Sequence, residues 1–162
     1  MSIKISYNTL VYVNESVDKS IERLARYGYD GVDLVGEPSR YDVEEVCALL
    51  KKYNIAASSI CAVFNTERDF VSPKAEIRKN AVAYVKECVD FAKAIGAHSI
   101  SVQASACMKT AAEAPAEQEW KWAVEGLREA GEYALSAGIR LTLEAGNRYE
   151  TYLINRCSQA LA

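Results

Sequence analysis

The strongest constraint on this chain is a unit that recurs four times: a helical run stops on Gly or Asn and turns into a short β-rich segment. The four stretches are RYGYDGVDLV (26–35), KKYNIAASSI (51–60), AIGAHSISV (94–102) and SAGIRLTLE (136–144). Gly28, Asn54, Gly96 and Gly138 fall where a helix needs a left-handed residue to end, the conformation that Gly and Asn adopt at least cost. The segments that follow are runs of apolar and small residues, the pattern of strands buried in a parallel sheet. Between them the apolar period is helical: Val17, Ile21 and Leu24; Val43, Val46, Cys47 and Leu50; Ile77, Ala81, Tyr84, Cys88, Ala92 and Ile95; Trp120, Val124, Leu127, Gly131 and Ala134. Spacings of three and four give each helix one stripe to lay on a sheet.

Helix starts are marked as well. Asp42 with Glu45 three residues on has the form of a capping box, and Ser72-Pro73 that of an N-cap followed by proline in the first turn. Strands are therefore expected near 3–7, 32–35, 56–63, 99–103 and 141–144, alternating with four helices. After the fifth strand a loop, GNRYETYL, leads toward the opening of a fifth helix. Strict βα alternation without a linker means one α/β domain, either a doubly wound sheet or a (β/α) barrel.

In both folds ligands bind where strands end and βα loops begin. That rule selects Tyr7, Asn8, Glu37, Asn65, Gln103, Glu144, Asn147, Arg148 and Glu150. Asp30, His98 and Arg140 fall on the opposite face, where structural roles are expected. His98 is the only histidine, so a Ser-His-Asp or Cys-His device has no base. GxGxxG and GxxxxGK[ST] are both absent, leaving no recognisable cradle for a dinucleotide or nucleoside triphosphate. Trp120 and Trp122 belong to the fourth helix, one of them on its core face, and make no base-stacking platform.

The net charge of −3 gives no electrostatic reason to expect nucleic acid or an anionic membrane as partner. No apolar run reaches the ~20 residues that span a bilayer, and MSIKIS lacks the apolar stretch of a secretory signal. Five cysteines without a CxxC pair read as free thiols in a reducing cytoplasm. Cys47 and Cys88 fall on helix core faces, and Cys107 in the loop after the fourth strand.

The most informative stretch is LTLEAGNRYET (141–151). An apolar strand ending in Glu144 puts a carboxylate at the rim of the binding face, where it can act as a hard oxygen ligand for Mg²⁺ or Mn²⁺ or as a proton acceptor. Glu150, on the following loop, can reach a sugar hydroxyl. An equally weighted structural reading pairs Glu144 with Arg148 and makes Glu150 the cap of the next helix.

At this stretch the sequence resembles the sugar isomerases and epimerases of the xylose-isomerase-like TIM-barrel superfamily, especially the ketose 3-epimerases acting on D-tagatose and D-psicose. The matching features are KISYN at the first strand, YGYDGVDLVGEP, IGAHSISV and, above all, AGIRLTLEAGNRYETYLIN, in which Glu144-Ala-Gly-Asn-Arg-Tyr-Glu150 reproduces the family's E-x-x-N-R-x-E pattern. The resemblance implies that Glu144 is both a metal ligand and the group that abstracts a substrate proton. It implies that Glu150 contacts a substrate hydroxyl, that Asn8 or Tyr7 occupies the first-strand substrate position, and that Glu37 lies in the sugar pocket. The implied cofactor is a divalent metal, Mn²⁺ first, with Co²⁺ or Mg²⁺ as alternatives. The implied partner is a small-molecule sugar, and a homo-oligomer is expected.

In that family the other metal ligands and the second catalytic glutamate lie on strands six to eight. A closed barrel takes ~250 residues, and 162 residues at about 30 per unit supply five strands. The resemblance therefore implies a partial barrel of five units out of eight, one domain over residues 1–162 truncated after strand five, inactive by itself. Two further readings stand beside the epimerase: a metal-dependent lyase or dehydratase acting on a keto-sugar or 3-oxo-glycoside, and a non-catalytic half-barrel that assembles with a partner chain.

Overall fold

The computed structural model describes residues 3–161. Five strands, β1 (Ser6–Asn8), β2 (Gly31–Gly36), β3 (Ala56–Ala62), β4 (Ser99–Val102) and β5 (Arg140–Leu143), form one sheet. Its spatial order is the chain order, β1-β2-β3-β4-β5, and every neighbouring pair is parallel. Sequential order decides between the two architectures left open by the alternation. A doubly wound sheet reverses its order at a switch point, whereas a barrel wall advances one strand at a time. The sheet is thus part of a (β/α) barrel wall, with β1 and β5 at its edges.

Each return is made by one helix: α1 (Val17–Arg26), α2 (Val43–Tyr53), α3 (Ala75–Ile95) and α4 (Ala116–Ser136); a short α5 (Cys157–Ala160) follows β5. Gly28, Gly96 and Gly138 have φ of 78° to 79°, and Asn54 has φ 51°. All four stops are left-handed, as the sequence predicts, and each is followed within three residues by a strand. Asp42 caps α2 through a bond from the Glu45 amide (2.9 Å).

Two expectations require correction. α3 begins at Ala75, with Lys74 at its N-cap, rather than at Pro73. The Ser72 hydroxyl closes its own two-residue turn by accepting from the Lys74 amide (3.3 Å), and Arg78 ties the Ser72 carbonyl from inside the helix (2.7 Å). The buried stripe of α4 is also rotated by about one residue. Ala123, Ala130 and Ala134 are buried on it, and so is Glu119, whereas Val124 is exposed. A buried glutamate on that stripe is invisible to an apolar count.

Side chains alternate across the sheet. One set, including Val32, Leu34, Ile60, Ile100 and Val102, is buried under the helices. The other set faces the concave side, where a closed barrel has its interior. The register aligns Asn8 with Asp33, Asp33 with Ser59, Cys61 with Ser101, and Ser101 with Thr142.

The upper ends of β2 and β3 are tied by one buried hydroxyl. Tyr84 of α3 donates to the Gly36 carbonyl (2.5 Å) and accepts from the Val63 amide (2.8 Å). This closeness demands glycine at 36, since a Cβ there would lie 2.8 Å from the Tyr84 hydroxyl and 2.9 Å from the Ala62 Cα. Gly36→Ala is expected to lower stability by about 1–3 kcal/mol. Gly131→Ala, in the interior of α4 with no atom within 4 Å of the new Cβ, is expected to raise it by about 0.5–1 kcal/mol. Urea denaturation midpoints measure both.

Candidate functional site

The concave face gathers polar groups at the carboxyl ends of the strands. Asn8 donates its side-chain amide to Asp33 Oδ2 (2.8 Å) and accepts from the Leu10 amide through Oδ1 (2.7 Å). Its side chain therefore both caps the 3-10 turn Thr9–Tyr12 and holds Asp33. The second oxygen of Asp33 is buried without a partner. Burial pushes the Asp33 carboxyl above the ordinary carboxylate value, against the lowering effect of hydrogen bonds from Ser59 and Asn8. Burial likewise raises the Cys61 thiol, and the charges of Asp33 and Glu144 add to that rise. Asp33, Cys61 and Glu144 thus share one field on the concave face. A raised thiol is a poor nucleophile, and Cys61 lies in the strand register beside Ser101 as part of the wall.

Glu144 stands one residue beyond β5. Its amide donates to the Val102 carbonyl (2.9 Å) and so prolongs the ladder with β4. The side chain is exposed, and no ion pair among the described residues involves it or Arg148. The pairing of Glu144 with Arg148 is therefore not formed. Nor does Glu150 cap a helix: α5 begins at Cys157 with Arg156 at its N-cap. Glu150 is half-buried on a turn closed by the bond from its amide to the Asn147 carbonyl (3.1 Å). Both carboxylates are left without a structural occupation.

The remaining selected residues divide. Glu37 lies just beyond β2, gripped by the two terminal guanidinium nitrogens of Arg68, whose guanidinium carbon sits 3.9 Å from the centre of the Tyr84 ring. It is an anchored carboxylate with an opposite charge in place. Tyr7 points away from Asn8: its ring packs against Tyr12 (6.0 Å) and Tyr29 (5.4 Å) on the other side of β1. Adjacent strand residues face opposite sides, so the structure brings Asn8, and not Tyr7, onto the concave face. Asp30 accepts from the Ile5 amide (2.8 Å) at the lower rim, a structural bond that docks β1 on β2. His98 is exposed at the same rim. Cys88 is fully buried, and burial pushes its thiol up to about 12.

The model of the xylose isomerase-like TIM barrel family matches residues 21–162. The chain belongs to this family. The L-ribulose 3-epimerase of Mesorhizobium japonicum is 25% identical over 98% of this chain and 55% of its own length. The D-psicose 3-epimerase of Ruminiclostridium cellulolyticum is also 25% identical, over 87% of this chain and 50% of its own. The chain thus spans about half the length of the curated relatives it matches. Among solved structures, the D-allulose 3-epimerase of a Methylomonas species, in complex with D-allulose, superposes with a TM-score of 0.87 at 24% identity. The match covers 98% of this chain and 57% of that one. A 3-keto-D-glucoside 4-epimerase from E. coli superposes at 0.85 with 19% identity, covering 99% and 62%. At these identities the superpositions establish the fold.

Sequence reasoning missed Asp33, Arg68, Asp69, Lys109, Glu119 and Tyr152. Asp33 carried a usable signal, because it is the one charged residue in GVDLVG and shares the parity of Gly31 and Val35. The others act through contacts between loops, which no local pattern encodes.

No group of three or more His, Cys, Asp or Glu among the described residues is placed to hold a metal ion. Glu144 offers one hard oxygen donor, while a Mn²⁺ site draws several ligands. The described residues therefore do not by themselves fit the metal implied by the family.

The raised Asp33 carboxyl has a testable sign. A native acid above its unfolded value of 3.8 costs stability as pH rises through the native value, because the native state holds the proton longer. Asp33→Asn is expected to match the wild type below that unfolded value. It should become the more stable of the two as pH rises toward neutrality. Denaturation midpoints across that range measure the difference.

Proposed function

We propose that this chain is the first five units of a sugar epimerase or isomerase of the ketose 3-epimerase kind, with Glu144 as a proton-abstracting base and Glu150 as a contact to a sugar hydroxyl. The observation that carries this reading is the pair of carboxylates on one segment after β5, neither paired with a cation nor used as a cap. A carboxylate at the end of a strand ladder with no cation beside it is open to a substrate, whereas Glu37 is already occupied by Arg68. Support also comes from the ketose 3-epimerases among the relatives and from the D-allulose held by one structural neighbour.

The chemistry follows from the acid. A hydrogen on the carbon next to a ketose carbonyl is acidic enough to be removed only when the developing enediolate oxygens are stabilised. Glu144 takes that proton from one face of the sugar. Inversion needs a different proton, delivered to the opposite face by a second acid, while Glu144 keeps the one it removed. In this reading the second acid and the donors that would complete a divalent-metal site come from three further βα units, so the 162-residue chain alone is inactive. A bound metal would stabilise the enediolate oxygens. Asp33, held by Asn8, shares the strand parity that leads to Glu144.

The experiment is made in a complete barrel carrying these residues, assayed against free ketoses. Glu144→Gln is expected to lower kcat by at least about a hundredfold, the scale of a lost general base. Glu150→Gln is expected to raise KM more than it lowers kcat. Full activity in Glu144→Gln would remove Glu144 from the reaction. Elimination from a 3-oxo-glycoside, with no turnover of free ketoses, would replace the epimerase reading with a lyase.

A further inference from the structure

Glu119 is a carboxylate with 0% exposure on α4, outside the cleft that carries Glu144 and Glu150. Burying a charge is costly unless hydrogen bonds replace water, and here they do. Glu119 Oε1 accepts from the amides of Glu113 (2.8 Å) and Ala114 (3.0 Å), in the loop between β4 and α4. Oε2 accepts from the hydroxyl of Tyr152, in the segment after β5. One buried anion therefore binds two loops that meet at the carboxyl ends of the strands.

Around it the same two loops are stitched again. The Tyr152 amide donates to the Lys109 carbonyl (3.2 Å), Lys109 bridges Thr151 in parallel, and the hydroxyls of Ser105 and Thr151 lie 2.7 Å apart. Asn155 folds the segment back on itself by donating to the carbonyls of Gly146 (3.0 Å) and Thr151 (2.8 Å). The first loop is in turn fixed from below. Nearly buried Asp69 accepts from the Ala106 amide (3.1 Å) and from Lys109 Nζ (2.9 Å). Glu150 sits between Asn147 and Thr151 on the segment so held.

We infer that the Glu119–Tyr152 bond is a positioning latch: it fixes the segment after β5 and, through it, the carboxylate of Glu150. The functional meaning of the latch rests on Glu150 being a sugar contact, whereas its mechanical meaning does not. Glu119 and Tyr152 act through the loop that their bond ties down. Charge-assisted hydrogen bonds are about twice as strong as neutral ones, and among the bonds that Thr151, Tyr152 and Asn155 make to hold the segment this is the one made to a carboxylate.

The test uses the chain as it stands. Tyr152→Phe removes one hydroxyl and keeps the ring, while Glu119→Ala, which also strips two amides of their acceptor, is the harsher variant and the one that risks the fold. In Tyr152→Phe, amide hydrogen exchange over 147–155 is expected to accelerate by about tenfold or more, as for a lost bond to a charged group. Exchange in β2, β3 and β4 should stay unchanged. Unchanged exchange over 147–155, or equal acceleration across the whole chain, would overturn the latch. In a complete barrel the same variant should raise KM for a ketose with kcat held within about twofold, since a uniformly bound contact is lost. A fall in kcat at constant KM would overturn the link to Glu150. A complete wild-type barrel that turns over no ketose would count against the epimerase reading and leave the exchange result intact.

Discussion

Everything in this molecule depends on the geometry of the parallel return. Two parallel neighbours cannot be joined by a hairpin, so each helix must carry the chain back along the sheet and then reverse it within a few residues. The reversal is made by a left-handed residue, and the four such residues at 28, 54, 96 and 138 time the four returns. Because each return advances one strand, the helices collect on one side and the other side is left concave. The concave side then takes the opposite chemistry from the helix side. Apolar Val32, Leu34, Ile60 and Ile100 pack under helices, and Asp33, Ser59, Cys61, Ser101 and Glu144 line the cleft.

The upper rim needs more than the ladder, since strands this short leave the loops to be ordered by other means. Three buried polar groups do this. The Tyr84 hydroxyl joins the ends of β2 and β3, Asp69 holds the loop after β4, and Glu119 holds that loop against the segment after β5. Each is satisfied by backbone amides, a carbonyl, a hydroxyl or, for Asp69, also the Lys109 ammonium, which is why burial is tolerable. Glu37, by contrast with Glu144 and Glu150, is held in an ion pair with Arg68.

Much of this was legible in the sequence because it is local. Helix stops, strand runs and the Asp42 cap depend on residues a few positions apart, and their places agree with the sheet to within a few residues for every strand. The segment 141–151 was legible for the same reason, as a strand ending in a carboxylate followed by a turn. What stayed hidden is what lies between elements. The face of α4 was misplaced because a glutamate occupies its buried stripe, and nothing near Glu119 announces a partner 33 residues away. The start of α3 was misplaced because the Ser72 hydroxyl has a competing local turn. Tyr7 and Asn8 could not be told apart until the register of β1 fixed which one faces the cleft.

We propose that the carboxylate after β5 meets a carbon-bound proton beside a sugar carbonyl. The most direct measurement of this is the isotope content of C3 in a ketose turned over in D₂O by a complete barrel carrying this chain. Deuterium is expected at C3 of the epimerised product, because the second acid, which protonates the opposite face, carries a solvent deuteron in D₂O. Epimerised product with only protium at C3, under conditions where the carboxylates exchange freely with solvent, would contradict it.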